Sequence, residues 1–469
     1  MSRARSFVKN FLILGIGNIL PKIAGFVVLP ILTGCLTTEE YGTYDLIVTL
    51  VSLFLPLSTL QIQNAVFRYL IDSRNNESEI KRLISSAFAF ALGVTSLFLV
   101  GYIIMTNNLD PLIRAWVCAY YIFEVNVVVL RQCARGLGLN KIYSYSAGIQ
   151  SLLQILLCYL LVLGVGLNLL GSVIMIAGST LAACIMLFIK LRIWDLFSFA
   201  YIDFTCIRQL LKYSWPLVPN QLSFWAMRAS NRLVITLFCG ITANAMFAAA
   251  FKIPQIMSLA QGTFQMAWQE NATMFSRDSD SNAYFSAMFK ALFNLTTGVA
   301  SLAIAATPLL FAILIRGEYS EAYSQIPILI IAMLFSCLIS FYDGICVAQE
   351  KTKIIGASAL GGAFLNIAIC FALIPSIGIT GASLAMLISY ALLFTIRLLH
   401  ATKHITIAYE KRVIATSLIV VALQCAICIE NNACLNIVNI IVGLALFIAL
   451  NHALFISVLA KAKTRTHRR

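Results

Sequence analysis

Charge is scarce in this sequence of 469 residues: Asp, Glu, Lys and Arg together make up 11% of it, and only 19 residues are acidic. So little polar surface cannot cover a water-soluble body of this size. With 60% hydrophobic residues and a mean hydropathy of +0.90, the chain must use lipid as its solvent. A GxxxxGK[ST] phosphate loop is absent, which excludes a nucleotide-driven motor within the chain, and no nucleophile is set beside a base. Most of the 13 cysteines stand singly, and the CxxC at Cys425 and Cys428 lies inside an apolar run where packing accounts for it. His400 and His404 are four residues apart but lack a third ligand nearby, so neither a metal nor a catalytic centre is expected.

What is present is a succession of apolar stretches, each of the roughly 20 residues needed to cross about 30 Å of hydrocarbon. Fourteen candidate spans fall near 11–35, 44–64, 83–106, 112–130, 143–164, 170–190, 213–238, 245–268, 289–314, 325–347, 354–374, 380–399, 413–429 and 435–458. Placing the start of the chain inside puts 27 of the 33 basic residues on one face, Arg131 and Arg397 among them, against Arg114 and Arg316 on the other. One miscounted helix would swap the faces of every later loop, so the unbroken bias supports an even number of spans and two cytoplasmic ends. The net charge of +14 is then a topology signal and a contact with the membrane surface, not a nucleic-acid footprint. Leu32-Thr33-Gly34-Cys35 has the form of a lipoprotein cleavage box, but the run before it is too long for a signal peptide and holds Lys22 near its centre.

Internal symmetry divides the chain. A shift of 212 residues lays Lys141, Ser146-Ala147, Leu153, Gln154, Ile155 and Gly166 on Lys353, Ser358-Ala359, Leu365, Asn366, Ile367 and Gly378. A shift of 203 lays Lys9, Asn18, Gly42 and Tyr44 on Lys212, Gln221, Ala245 and Phe247. Each shift spans six helices, the arrangement of parallel repeats. The expected architecture is all-α in a 6+6+2 arrangement: a six-helix lobe over 1–192, a cytoplasmic linker over 193–211, a second six-helix lobe over 212–404, and two further helices with a basic tail over 405–469. A cavity is expected between the lobes.

The candidate site comes from charges in the wrong solvent. An ionised side chain near the bilayer centre costs at least about 2.5–3.5 kcal/mol, so it should face protein or water and mark function. Lys22, Arg228, Arg232 and Lys252 lie within spans. Gln221, Trp225, Arg228 and Arg232 step by 4, 3 and 4 and share one helix face, and Asn18 and Lys22 form a matching pair on the first span. Clustered cations in a cavity of low dielectric suit a phosphate or pyrophosphate. Only Glu124 and Asp343 are clear intramembrane acids, too few to neutralise four cations; both are candidates for carrying a coupling proton or sodium ion.

Two segments then carry a family likeness. Lys9-Asn10, Asn18, Lys22, Pro30 and Thr33, followed by Glu39-Glu40-Tyr41-Gly42-Thr43-Tyr44 and Arg68, resemble the opening of the bacterial polysaccharide-export flippases, the Wzx-type O-antigen and capsule translocases. Asn366 and Ile374-Pro375-Ser376-Ile377-Gly378-Ile379-Thr380-Gly381-Ala382 match a late segment of the same family. The resemblance implies the MATE-like MOP exporter superfamily: a V-shaped pair of lobes, alternating access, and an oligosaccharide on undecaprenyl diphosphate carried across the bacterial inner membrane. It implies no cofactor beyond a possible proton or sodium gradient, and a polysaccharide polymerase and chain-length regulator as neighbours. One departure stands out. The family often has Asp-Arg in the seventh span, and this chain has Asn231-Arg232. A peptidoglycan-precursor (lipid II) flippase and a MATE-type small-molecule exporter are the alternatives; the second should line its cavity with acids.

Overall fold

A computed structural model describes the backbone of all residues except 1, 106–109, 259–260, 262–263, 266–267, 269–271, 273–280, 350–351, 403–404 and 467–469; among the candidates, the side chains of Asn18 and Arg228 lie outside the described set. Every regular element among the described residues is helical, and twelve helices are long and apolar enough to cross a membrane, with Ile19–Cys35 a shorter apolar helix besides. The predicted span 245–268 falls partly outside the described residues. The chain packs as two compact units, Met1–Ala229 and Ser230–Arg469.

The first unit is built from α1 (Ser2–Cys35), α2 (Thr38–Thr59), α3 (Ile62–Asp72), α4 (Glu77–Met105), α5 (Pro111–Gly136), α6 (Asn140–Leu157, continued as a π-helix over Cys158–Gly164) and α7 (Asn168–Lys190). The sequence places its own stops. Thr37 and Glu40 form a capping box at the start of α2: the Thr37 hydroxyl accepts from the Glu40 amide (3.2 Å) and the Glu40 carboxylate from the Thr37 amide (3.0 Å). Glu40 of the first family segment thus serves the fold. Asp110 caps α5 by accepting from the amides of Leu112 and Ile113. The predicted span 44–64 runs on too far, because Leu60 and Gln61 both adopt left-handed backbone (φ 43° and 59°) and break the helix before α3. The core of this unit joins Ile62, Val66 and Leu70 of α3 to Ile84, Val129 and Leu187 on the neighbouring helices. Between α7 and the next span come a single turn, α8 (Ile193–Leu196), and an amphipathic helix, α9 (Phe204–Ser214).

Helix α10 (Leu217–Lys252) is interrupted at Gly240 (φ 86°, ψ 176°), a conformation open only to glycine. The predicted connection between the seventh and eighth spans holds this residue. The second unit continues with α11 (Ser281–Ala305), α12 (Thr307–Leu314), α13 (Ser320–Ala348), α14 (Thr352–Ile377) and α15 (Ile379–Ala401), followed by α16 (Lys411–Glu430) and α17 (Ala433–Thr466). The single span expected over 289–314 is two helices, because Ala306 and Pro308 open a new start there. The last pair docks on α11 through polar ties: Ser301 donates to Gln424 (2.6 Å), Asn294 to the Leu450 carbonyl (2.9 Å), and Asn451 to the Asn294 carbonyl (3.1 Å).

The second family segment forms the tight turn between α14 and α15. Gly378 takes φ 59°, and Gly166, which the 212-residue shift lays on it, takes φ 73° at the turn before α7. A Cβ on Gly381 would stand 2.7 Å from the carbonyl carbon of Leu373, and backbone cannot step aside cheaply. Gly381→Ala is therefore expected to destabilise the protein by about 1–3 kcal/mol, seen as a lower melting temperature in detergent.

Candidate functional site

In the first unit, Gly17 meets Ser144 of α6 and Ala24 and Val28 are buried, so this stripe is the packed face of α1. Lys22 is about 120–160° around the helix from that stripe at 100° per residue, and it is exposed. It is an exposed cation on the shorter apolar helix Ile19–Cys35. Along α10, Gln221 is exposed and Trp225 is half-buried, its indole Nε1–H donating to the Ser52 hydroxyl of α2 (2.9 Å). That bond fixes the Trp225 ring. The polar face read from the spacing is thus partly a tie within the unit.

The acid of this unit sits in a chain of hydrogen bonds across three helices. The Arg131 guanidinium donates to the Ser146 hydroxyl (3.0 Å) and to Gln150 Oε1 (2.7 Å), Gln150 Nε2 donates to Thr180 (3.0 Å), and the Thr180 hydroxyl reaches the Glu124 carboxylate. Cation, amide, hydroxyl and carboxylate follow one another, each oriented by the next, so the network is cooperative and sensitive to the charge of its end members. Arg131, which the sequence puts at the end of a loop, belongs to this network. Glu124 and Arg131 are seven residues apart and so share a face of α5; that spacing was the available signal.

In the second unit, Arg232 and Lys252 are both half-buried, Lys252 just before the turn at Ile253-Pro254. Beside Arg232, Asn231 is fully buried, and its carboxamide oxygen receives Asn366 Nδ2 (2.6 Å) and the Cys370 thiol (3.1 Å), with Asn366 also donating to Ser230 (3.2 Å). The cluster is neutral. The carboxamide oxygen of Asn231, where the family often has Asp, is met by uncharged donors, and these residues hold no proton-exchanging group at neutral pH.

Asp343 requires a correction. The sequence reads it as an intramembrane acid that could carry a coupling ion and counts Arg397 among the loop cations; instead the two are paired inside the fold. Arg397 on α15 is 1% exposed, its Nη1 is 2.6 Å from Asp343 Oδ1, and its Nη2 donates to the Ile355 carbonyl of α14 (2.8 Å). The pair ties α13, α14 and α15 together. Arg397 lies within the predicted span 380–399, and a charge there needs a partner in the same bundle, a rule the loop count passes over. The two intramembrane acids are thus held by groups of their own units.

The model of the family described as "Polysaccharide biosynthesis protein" matches residues 7–269. No curated protein matches the chain. Among solved structures, the lipid II flippase MurJ in an inward closed conformation superposes with a TM-score of 0.66 at 14% identity, covering 96% of this chain and 100% of its own. An inward-facing multidrug resistance MATE family transporter of the MOP superfamily gives 0.66 at 11% identity, covering 83% of this chain and 94% of its own. A MOP superfamily transporter from Pyrococcus furiosus gives 0.59 at 11% identity, over 85% and 95%. Those identities speak for the fold alone, which this chain shares with the three structures. The family match covers more than half the sequence, so the chain belongs to the polysaccharide biosynthesis protein family, the family its two motif segments resemble.

Proposed function

We propose that this protein is a flippase that carries an undecaprenyl-diphosphate-linked oligosaccharide from the cytoplasmic to the periplasmic leaflet of the bacterial inner membrane, by alternating access through a cationic cavity. The observation that carries this reading is the placement of Arg232 and Lys252 on a helix long and apolar enough to cross a membrane, and of Lys22 on the shorter apolar helix Ile19–Cys35, in a polysaccharide-biosynthesis family member, where a charge is costly and a diphosphate offsets the cost. Asn18, Gln221, Trp225 and Arg228 complete the substrate-binding set. Both ends of the chain lie in the cytoplasm, and a polymerase and chain-length regulator act on the product.

Between lipid-linked substrates and small molecules, membership of the polysaccharide biosynthesis family favours the former. Lipid II itself is the nearest competing cargo. The test is expression in two bacterial strains, one lacking its O-antigen or capsule flippase while making the cognate sugar unit, the other depleted of its lipid II flippase. Surface polysaccharide restored in the first without growth rescue in the second is the expected result; the reverse pattern would overturn the reading.

Glu124 is the residue proposed for coupling, because it ends a cooperative network and has no cation bound directly to its carboxylate in that network, whereas Asp343 is committed to Arg397. Glu124→Gln keeps the Thr180 hydrogen bond and removes the charge. It is expected to lower gradient-driven transport about tenfold while leaving the melting temperature within a few degrees, as read in proteoliposomes with and without an imposed proton or sodium gradient. Unchanged gradient dependence in this variant would remove Glu124 from the coupling step.

A further inference from the structure

The segment joining α7 to α10 carries a surface that transport does not use. Helix α9 buries Cys206, Leu210 and Ser214, spaced by four, against α3 and α4. Its opposite face presents Phe204, Arg208, Lys212 and Trp215, spaced by 4, 4 and 3, and all four are exposed. Phe204 is 84% exposed and Trp215 60%, and the turn before them adds Phe199 at 81%. Aromatic rings left this open, with two cations set between them, are not the outer face of a helix that meets only water.

The position of the segment says which solvent it meets. Chain connectivity puts it directly after the membrane-spanning α7 and before α10. It is also fastened to α4 within the first three turns: the Ser85 hydroxyl accepts from the Ser198 amide (3.0 Å), the Ser86 hydroxyl from the Asp203 amide (3.0 Å), and Arg82 pairs with Asp203 (2.8 Å). Those turns run from Glu77, Glu79, Lys81 and Arg82 into the apolar Leu83–Leu99 stretch, where a span passes from headgroups into hydrocarbon. The acids of the segment do not cancel its exposed cations. Asp203 is engaged by Thr205 and Arg82, which hold its carboxyl below the usual range, and Asp195 pairs with Arg192 (3.1 Å). Arg208 and Lys212 face outward between Phe204 and Trp215.

We propose that the outer face of this segment is an interfacial anchor that takes anionic phospholipid headgroups, with Arg208 and Lys212 on the phosphates and Phe204 and Trp215 at the boundary with the acyl chains. The rings supply depth and the cations supply selectivity for anionic over zwitterionic lipid. The anchor goes beyond the transport reading and does not depend on which lipid-linked substrate is moved.

The full chain is reconstituted in phosphatidylcholine vesicles that contain, as a minor and equal fraction, either brominated phosphatidylglycerol or brominated phosphatidylcholine, and tryptophan fluorescence is read. Trp215→Phe gives the background from the other tryptophans, so the difference reports Trp215. Quenching of Trp215 by the anionic lipid is expected to exceed that by the zwitterionic one by at least about twofold, and the excess to vanish in Arg208→Gln/Lys212→Gln and at high salt. Equal quenching by the two lipids, persistence of the excess in the double variant, or no quenching of Trp215 by either lipid would each overturn the proposal; the last would place this face against protein or water.

Discussion

Replacing Arg397 with alanine is expected to destabilise the protein by about 3–5 kcal/mol, enough to deplete the folded protein from the membrane. The cause is what remains behind. Asp343 is 9% exposed on α13, and without the guanidinium 2.6 Å away its carboxylate would sit uncompensated in the packed interior, while the Ile355 carbonyl loses one of its donors. The complementary test removes both charges. Arg397→Met combined with Asp343→Leu leaves no buried ion and is expected to recover most of the loss, because the pair's desolvation cost nearly matches its attraction. Melting temperature in detergent and membrane abundance check both variants; equal damage from the single and double changes would mean that the pair is not what holds α13, α14 and α15 together.

Charge removal at Lys22 and Arg232 is expected to act in the opposite way, abolishing export with the fold intact. Lys22 projects away from the packed face of α1, so Lys22→Ala removes little packing. A hydrogen bond to a charged group contributes about 1.5–3 kcal/mol, so each loss should slow transport roughly tenfold to a hundredfold if the contact is made to the substrate's diphosphate. Lys22→Arg keeps the charge and should retain most activity, a result that a purely structural role for the lysine does not predict. Arg232→Ala should behave like Lys22→Ala, and the two together should reduce surface polysaccharide to background at matched protein abundance.

Most of the fold was legible in the sequence because lipid imposes a length on every span and a sign on every loop. The helices end within a few residues of the expected limits wherever a cap or a glycine marks them, as at Thr37, Asp110 and Gly378. Legibility failed where tertiary packing decides. Nothing local announces the left-handed pair Leu60–Gln61, since neither is a residue that favours that backbone. The break at Ala306 was hidden for a different reason: Pro308 is tolerated in membrane helices, so it does not by itself signal a new start. At the candidate site, residue types and spans single out Lys22, Arg232 and Glu124 as candidates, but not their partners. Arg131 reads as a loop cation because counting charges by loop ignores how far a helix extends past its apolar run, and Arg397 because that count passes over a cation inside the end of a span. The neutral cluster of Asn231, Asn366 and Cys370 joins residues 135 or more positions apart, a proximity one sequence does not reveal.

The central claim is tested most directly by transport itself. The purified protein is reconstituted in proteoliposomes carrying an undecaprenyl-diphosphate-linked oligosaccharide in one leaflet, and its arrival in the other is read by an enzyme or lectin confined to that side. Transfer that depends on the protein and falls at least about tenfold in Lys22→Ala/Arg232→Ala is the predicted result. Protein-dependent uptake of small organic cations with no transfer of the lipid-linked sugar would contradict it.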